Sequence, residues 1–302
     1  MSAPALVTGV VCTRNRPESL TRLVSTLLAG QSEPCELLVV DQSDEPLYQR
    51  ARSLLPQDAR LRHVRSVARG KGKALNEALR LARGSILVCT DDDCQAPRNW
   101  MSDMARALES QPTAAMAFCQ VMAVAHDRGA GYVPAYSLVQ SRLLRSISDM
   151  CGGLGLGAGM ALRRDFVRSI GGFDESFGPG SRFPSADDWD LAIRSLLRGW
   201  HVFETAELSI EHDGFRTFQE GREHARRDWI ALGAVCAKPL RAGHWKAVVV
   251  PVWLFSTRAI WPPIADALAL RRPRGVDRIL AFVTGFARGL RSRVEAETLR
   301  FC

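Results

Sequence analysis

The sequence predicts an α/β protein with a mostly parallel sheet flanked by helices, on three observations. Short apolar runs recur through the first half, at Leu6 to Cys12, Glu36 to Val40, Leu61 to Val64 and Ile86 to Cys89. Amphipathic helical patterns fill the gaps between them, and that alternation builds parallel sheets with both faces covered. The runs end on Arg14, Asp41 and Asp91, and ligands of such sheets bind beyond the carboxyl ends of the strands.

In chain order, Leu6 to Cys12 reads as a strand, Thr13-Arg14-Asn15-Arg16-Pro17 as a turn, and Leu20, Leu23, Val24, Leu27 and Leu28 as the buried stripe of a helix. Glu36 to Val40 is the second strand and Leu61 to Val64 a weaker third. Gly72 to Ala82 repeats the helical spacing, and Ile86 to Cys89 is a strand stopping at Thr90-Asp91-Asp92-Asp93. A glycine-rich stretch, Gly152 to Gly159, precedes a short apolar run, Met160 to Leu162. The turn Gly171 to Glu175, a helix over Asp187 to Leu197 and an alternating stretch from Val202 to Ile210 complete this part.

The charge divides the chain. The 302 residues carry 40 Lys plus Arg and 32 Asp plus Glu, a net charge of +8. From Phe215 onward there are 16 basic and 7 acidic residues, against 24 and 25 before it. Residues 1–214 therefore read as a near-neutral domain and residues 215–302 as a basic helical appendage. Trp229, Trp245, Trp253 and Trp261 lie there among Arg and Lys, a pattern suited to an anionic membrane interface. The longest apolar run, Ala247 to Phe255, has nine residues, and its extension meets Arg258, Pro262 and Pro263. It predicts an interfacial or re-entrant segment rather than a span. Packing helices with Arg on their solvated faces are the plainer alternative. Eight scattered Cys without a CxxC pair, and no leader pattern over the first twelve residues, predict a reduced, cytoplasmic protein, peripheral at most on the membrane.

Four features carry chemistry. Three adjacent carboxylates, Asp91-Asp92-Asp93, repel one another at a strand end unless a cation or strong donors sit there, and hard divalent ions take such oxygen ligands together with phosphates. Alternation along an extended segment sends Asp91 and Asp93 into the cleft and turns Asp92 aside. Asp187-Asp188-Trp189-Asp190 opens a helix; the macrodipole alone favours acids there, yet a carboxylate facing a metal site is also placed to act as a general base. The basic loop Arg69-Gly70-Lys71-Gly72-Lys73 lets backbone approach a phosphate, or is a solvated turn. His212, closing the neutral part, is a structural hydrogen-bonder or a neutral metal ligand.

Together with Cys12 to Pro17, Val39 to Ser43, Gly171 to Glu175 and Asp187 to Leu191 with Arg194, these motifs resemble the family 2 glycosyltransferases of the GT-A fold over about Leu6 to Arg216. The resemblance implies a Rossmann-like sheet and an inverting transfer of a sugar from a nucleotide diphosphate, UDP or dTDP, to a hydroxyl group, using Mg²⁺ or Mn²⁺. Asp188 aligns with the catalytic base. Thr13, Arg14, Asp41, Lys73, Asp91 and Asp92 form the implied nucleotide-sugar set, with Asp41 accepting from the pyrimidine N3–H. Asp93, with Asp91 and His212, forms the implied metal set. Gln42 replaces a common second acid, Gly157-Ala158-Gly159 stands where GAN is frequent, and Asp187 where Glu is common. The acceptor expected is a glycan or lipid-linked intermediate of the cell envelope.

Two other classes compete. A sugar-nucleotide pyrophosphorylase carries a Gly-rich basic loop after its first strand, whereas Thr13 to Pro17 has no Gly. A nucleic-acid-binding or membrane scaffold would account for the basic charge, but no nucleic-acid motif is present and no nucleic-acid partner is expected.

Overall fold

The computed structural model describes residues 6–30, 35–273 and 275–302; residues 1–5, on which part of the leader reading rests, lie outside them. The first four strands are β1 (Val7–Thr13), β2 (Cys35–Asp41), β3 (Leu61–Arg65) and β4 (Ile86–Asp91), with helices α1 (Pro17–Gly30), α2 (Glu45–Leu54) and α3 (Lys71–Leu81) between them. They pair in parallel in the order β3-β2-β1-β4, as the alternation predicts. β1 and β2 are buried along nearly their whole length because α1 covers one face and α3 the other. On α1 the predicted stripe Leu20, Leu23, Val24, Leu27 and Leu28 is the buried one.

The other half of the sheet is mixed rather than parallel. β5 (Cys94–Gln95), α4 (Trp100–Glu109), β6 (Ala114–Ala123), β7 (Gly131–Tyr132), β8 (Arg142–Leu144), β9 (Met160–Arg163), α5 (Arg164–Ser169), α6 (Asp187–Leu197) and β10 (His201–His212) follow. β9 inserts antiparallel between β4 and β6, and β10 lies parallel to β6 while pairing antiparallel with β8 and β5. Insertion of β9 reverses the strand direction beside β4, and opens the crevice at the carboxyl end of β4.

Beyond β11 (Arg216–Thr217), α7 (Phe218–Arg241) starts at a capping box in which Thr217 and Glu220 bond each other's backbone amides. It leads into a continuous helical run, α8 (Trp245–Leu268), π-helical over Leu254–Ile260, and then α9 (Val276–Arg291). Two sequence expectations change here. Residues 215–302 do not form a separate appendage: Trp229, Ala234, Val235, Cys236, Val250 and Phe301 belong to the same buried cluster as Val10, Leu38 and Phe118. And the helical run is not limited to nine residues, since it continues through Pro262 and Pro263, directly after the π-helical turns Leu254–Ile260. By length and composition alone, α8 is long and apolar enough to cross a membrane.

Buried charge fastens α7 to the sheet. Lys238, 1% exposed, reaches from α7 to Asp174 Oδ2 at 2.7 Å and to Asp190 on α6. Asp190 also takes the Arg194 guanidinium at 2.8 Å, and Arg194 donates onward to the carbonyls of Ile170 and Gly172. Phe177, Phe183 and Phe301 stack around Lys238, whose ammonium lies 5.0 Å from the Phe177 ring centre.

Candidate active site

The acidic cluster sits where β1 and β4 end together, their register pairing Cys12 with Asp91. Thr13, at the end of β1, donates to Asp92 Oδ2 at 2.6 Å, and Arg16 donates to Asp92 at 3.0 Å and to Asp93 at 2.9 Å. Asp92 is thus a buried structural acceptor that ties the β1 turn to β4, and burial pushes its carboxyl up despite those donors. Asp92 and Asp93 lie in the turn between β4 and β5 and meet the same Arg16 nitrogen, so the alternation predicted for an extended segment does not hold here. Arg14 is exposed, and it is Arg16 that meets the acids.

Asp93 also meets His212. The β5–β10 ladder sets Cys94 opposite His212, and this brings His212 Nε2 to 3.3 Å from Asp93 Oδ1. The ring's other nitrogen faces the Pro134 carbonyl at 3.1 Å. Burial would raise the Asp93 carboxyl, but His212 and Arg16 outweigh it and hold it at about 2. The same pairing raises His212 against its own burial. Asp93 Oδ1 is nonetheless buried without a hydrogen bond, a costly state for a carboxylate oxygen. Ligand atoms of Asp93, Cys94 and His212 lie within 4.8 Å of one another, so carboxylate and imidazole fit a divalent cation here, with a thiol beside them. Asp91, expected in the metal set, is not in that group. It is ion-paired with Lys71.

Lys71, not Lys73, faces the cleft. On α3 the buried positions are Gly72, Ala74, Leu75, Ala78 and Leu79; Lys71 lies on their stripe, while Lys73 points to solvent. Burial would depress the Lys71 ammonium, yet Asp91 and Asp187 together raise it well above its ordinary range. The helix begins at Gly70 with φ of 115°, a conformation that favours glycine, and its amide and carbonyl both bond the Gln42 side chain. Gln42, the departure noted in the sequence, is therefore the brace of this loop.

Asp188 faces the acidic cluster from α6. Its Oδ2 accepts from the amide of Gly157 at 3.0 Å and its Oδ1 from that of Trp189 at 2.8 Å. Burial first, and then the charge of Asp187, raise its carboxyl to about 7. Ala186, just before the helix, has φ of 66°, a strained conformation for a residue with a side chain, and it orients the first turn. A methyl group added to Gly157 would lie 3.5 Å from Asp188 Oδ2 and 3.8 Å from Lys71 Nζ, so the glycine-rich loop, α3 and α6 converge on one point.

Asp41 lies at the end of β2 and is fully buried. Its Oδ1 accepts from the Ser43 amide at 2.8 Å and its Oδ2 contacts His63 Nε2 at 2.9 Å. His63 in turn packs 4.7 Å from the Tyr48 ring, which Arg65 covers. Each oxygen of Asp41 therefore has one partner here and a second acceptor site left. Ser43, His63, Arg16, Lys71, Cys94 and the Gly157 amide were not among the sequence candidates. Only Lys71 had a readable signal, its place on the α3 stripe.

These features define a charged cleft at the carboxyl edge of an α/β sheet. Residues 8–169, more than half of the chain, match the family described as Glycosyl transferase family 2, and the chain belongs to that family. The fold is shared with a mannosyltransferase from Pyrobaculum calidifontis solved with GDP-Man and Mn²⁺, at 20% identity, TM-score 0.62, and 96% of this chain against 88% of that one. It is shared also with S. aureus TarS 1-349 in complex with UDP-GlcNAc, at 15% identity, TM-score 0.60, and coverages of 93% and 81%. Among curated proteins the chain is 25% identical over 222 residues to the glucosyl-dolichyl phosphate glucuronosyltransferase of Haloferax volcanii, covering 69% of each. It is 24% identical to the beta-monoglucosyldiacylglycerol synthase of Synechocystis, with 89% of this chain matching 61% of that protein. The protein is a glycosyltransferase of this family with a GT-A-like fold.

Proposed function

We propose that the protein moves a sugar from a nucleotide diphosphate, UDP or dTDP, to a hydroxyl of a glycan or lipid-linked acceptor with inversion, in envelope polysaccharide synthesis at the cytoplasmic face of a membrane. The observation that carries the reading is Asp188, a carboxylate raised to about 7 and fixed by two backbone amides opposite the acidic cluster. A group with that value is half ionised near neutrality, which suits a general base. It would take the proton of the acceptor hydroxyl as that oxygen bonds to the anomeric carbon. The bond from that carbon to the diphosphate oxygen breaks on the opposite face, and the nucleoside diphosphate leaves with the electron pair.

Asp93 and His212, with Asp91 close by in sequence, would hold Mg²⁺ or Mn²⁺ beside the diphosphate. Such an ion, when bound, supplies the positive charge that stabilises the leaving group. Lys71 and Arg16 place two further cations at the same cleft. The names of the curated relatives, one acting on a dolichyl phosphate sugar and one making a diacylglycerol glycoside, favour a lipid acceptor. The test is Asp188→Asn: nucleotide-sugar binding followed by melting temperature is retained, and nucleoside diphosphate release in the presence of a lipid extract is lost. Full turnover by the variant would remove Asp188 as base.

A further inference from the structure

The two helices that close the chain leave apolar stripes uncovered. On α9 the positions Val276, Leu280, Val283 and Leu290, spaced by a helical period, all face solvent, Leu280 at 72% exposure. The opposite side, Ala281, Phe282, Gly285 and Gly289, packs against α7 so closely that a methyl on Gly285 would meet the Ile230 carbonyl. On α8, Val250, Leu254, Ala259 and Pro263 are buried, while Trp245, Val249, Val252, Trp261, Ile264 and Leu268 point outward. Of the four tryptophans in the basic region, then, Trp229 is core and Trp245 and Trp261 are surface. The π-helical middle of α8 packs on α9, so the two helices that carry the outward stripes are direct neighbours. Apolar patches of this kind on a folded protein mark a place of contact.

The charge around them chooses the partner. Among the described residues from Trp245 to Arg293, seven exposed cations, including Arg258, Arg271, Arg272, Arg288 and Arg291, face one exposed carboxylate, Asp277. A second copy of the same face would bring these cations together; an anionic lipid surface neutralises them. Insertion of α8 across a bilayer would strip its buried third from α7 and α9 and carry the exposed Arg258 into hydrocarbon. We infer that α8 and α9 form a single face that lies flat in the headgroup region of an anionic bilayer, with Trp245, Trp261, Leu280 and Val283 immersed. The ion pairs of Lys238 with Asp174 and Asp190 then hold the sheet and α6, and so Asp188, in fixed orientation to the lipid plane. The lipid partner rests on the helices alone; its use, presentation of a lipid-linked acceptor to Asp188, rests on the transfer reading.

The test uses the full chain with vesicles of phosphatidylcholine, alone or mixed with phosphatidylglycerol, by sedimentation. Val252→Glu with Leu280→Glu changes two exposed positions, so the fold is expected to survive, checked by circular dichroism. The inference predicts binding to the mixed vesicles at least tenfold tighter than to phosphatidylcholine, and loss of that binding in the double variant. It also predicts that lipids brominated near the headgroup quench Trp245 and Trp261 more than lipids brominated at the chain ends, read as the difference from Trp245→Phe with Trp261→Phe. Equal binding of wild type and variant, strongest quenching at the bilayer centre, or a dimer that the double variant dissociates without any vesicle binding would overturn it. Stabilisation of the double variant by UDP and Mn²⁺ is read in parallel: its presence without vesicle binding sinks the lipid face alone, and its absence in wild type sinks the transfer reading.

Discussion

The Gly157 amide donates to Asp188 Oδ2 across 3.0 Å, joining a glycine-rich loop before β9 to the first turn of α6. Through this bond a carboxylate that burial and Asp187 would leave protonated is held ready to ionise near neutrality. The rest of the cleft is arranged around charges that offset one another: Asp91 with Lys71, Asp92 with Thr13 and Arg16, and Asp93 with His212.

The first prediction concerns pH. A base must be deprotonated, so kcat/KM rises with pH through about 7 in the wild type, and Asp188→Asn lowers it by about 100- to 10,000-fold. The stability effect has the opposite sense. The folded value of Asp188 lies above its unfolded one, so the folded state holds the extra proton and wild-type stability falls as pH rises from about 4 to about 7. Asp188→Asn therefore melts higher than wild type at pH 8, and the difference shrinks toward pH 5; thermal denaturation across that range measures it.

The lysine pair separates two readings of one loop. Lys71→Met removes the cation that Asp91 and Asp187 face, and donor affinity by calorimetry is expected to drop about 10- to 100-fold, the worth of a charge-assisted hydrogen bond. Lys73→Met, on the exposed side of α3, leaves it unchanged.

Lys238→Met strands two buried carboxylates, Asp174 and Asp190, of which only Asp190 keeps a cationic partner, in Arg194. Removing one member of a buried ion pair costs about 3–5 kcal/mol, so denaturant unfolding should show a loss of that order. Asp174→Asn made together with Lys238→Met recovers part of it, because one uncompensated charge is gone.

At the base-binding end, His63→Ala frees Asp41 Oδ2. If the His63 contact competes with a pyrimidine for Asp41, affinity for UDP relative to GDP, by melting temperature, increases in the variant.

The sheet's parallel half was legible because its strands are buried on both faces and read as apolar runs closed by Asp41 and Asp91. The antiparallel half was not, since β9 has only four residues and its partners lie far along the chain. The roles proposed for Asp93, His212 and Asp188 rest on the family resemblance together with residue type at the strand and helix ends. The division of labour inside the cluster did not: whether Asp91 meets a metal or Lys71 is decided by the side on which α3 presents its lysines, a three-dimensional fact with one faint trace in the helical period. Residues 215–302 were read as an appendage from charge. Charge counts record the solvated Arg residues and are blind to Lys238, which among the described residues of that region is the one cation sunk in the core, beside Asp174 and Asp190.

The most direct measurement is the melting temperature of the wild type and of Asp93→Asn with UDP, dTDP, GDP and CDP, each with and without Mn²⁺ or Mg²⁺. A nucleotide-sugar cleft built on Asp93 and His212 predicts stabilisation by UDP or dTDP that requires the metal and disappears in the variant. Absence of any metal-dependent shift in the wild type, or an equal shift in Asp93→Asn, would contradict it.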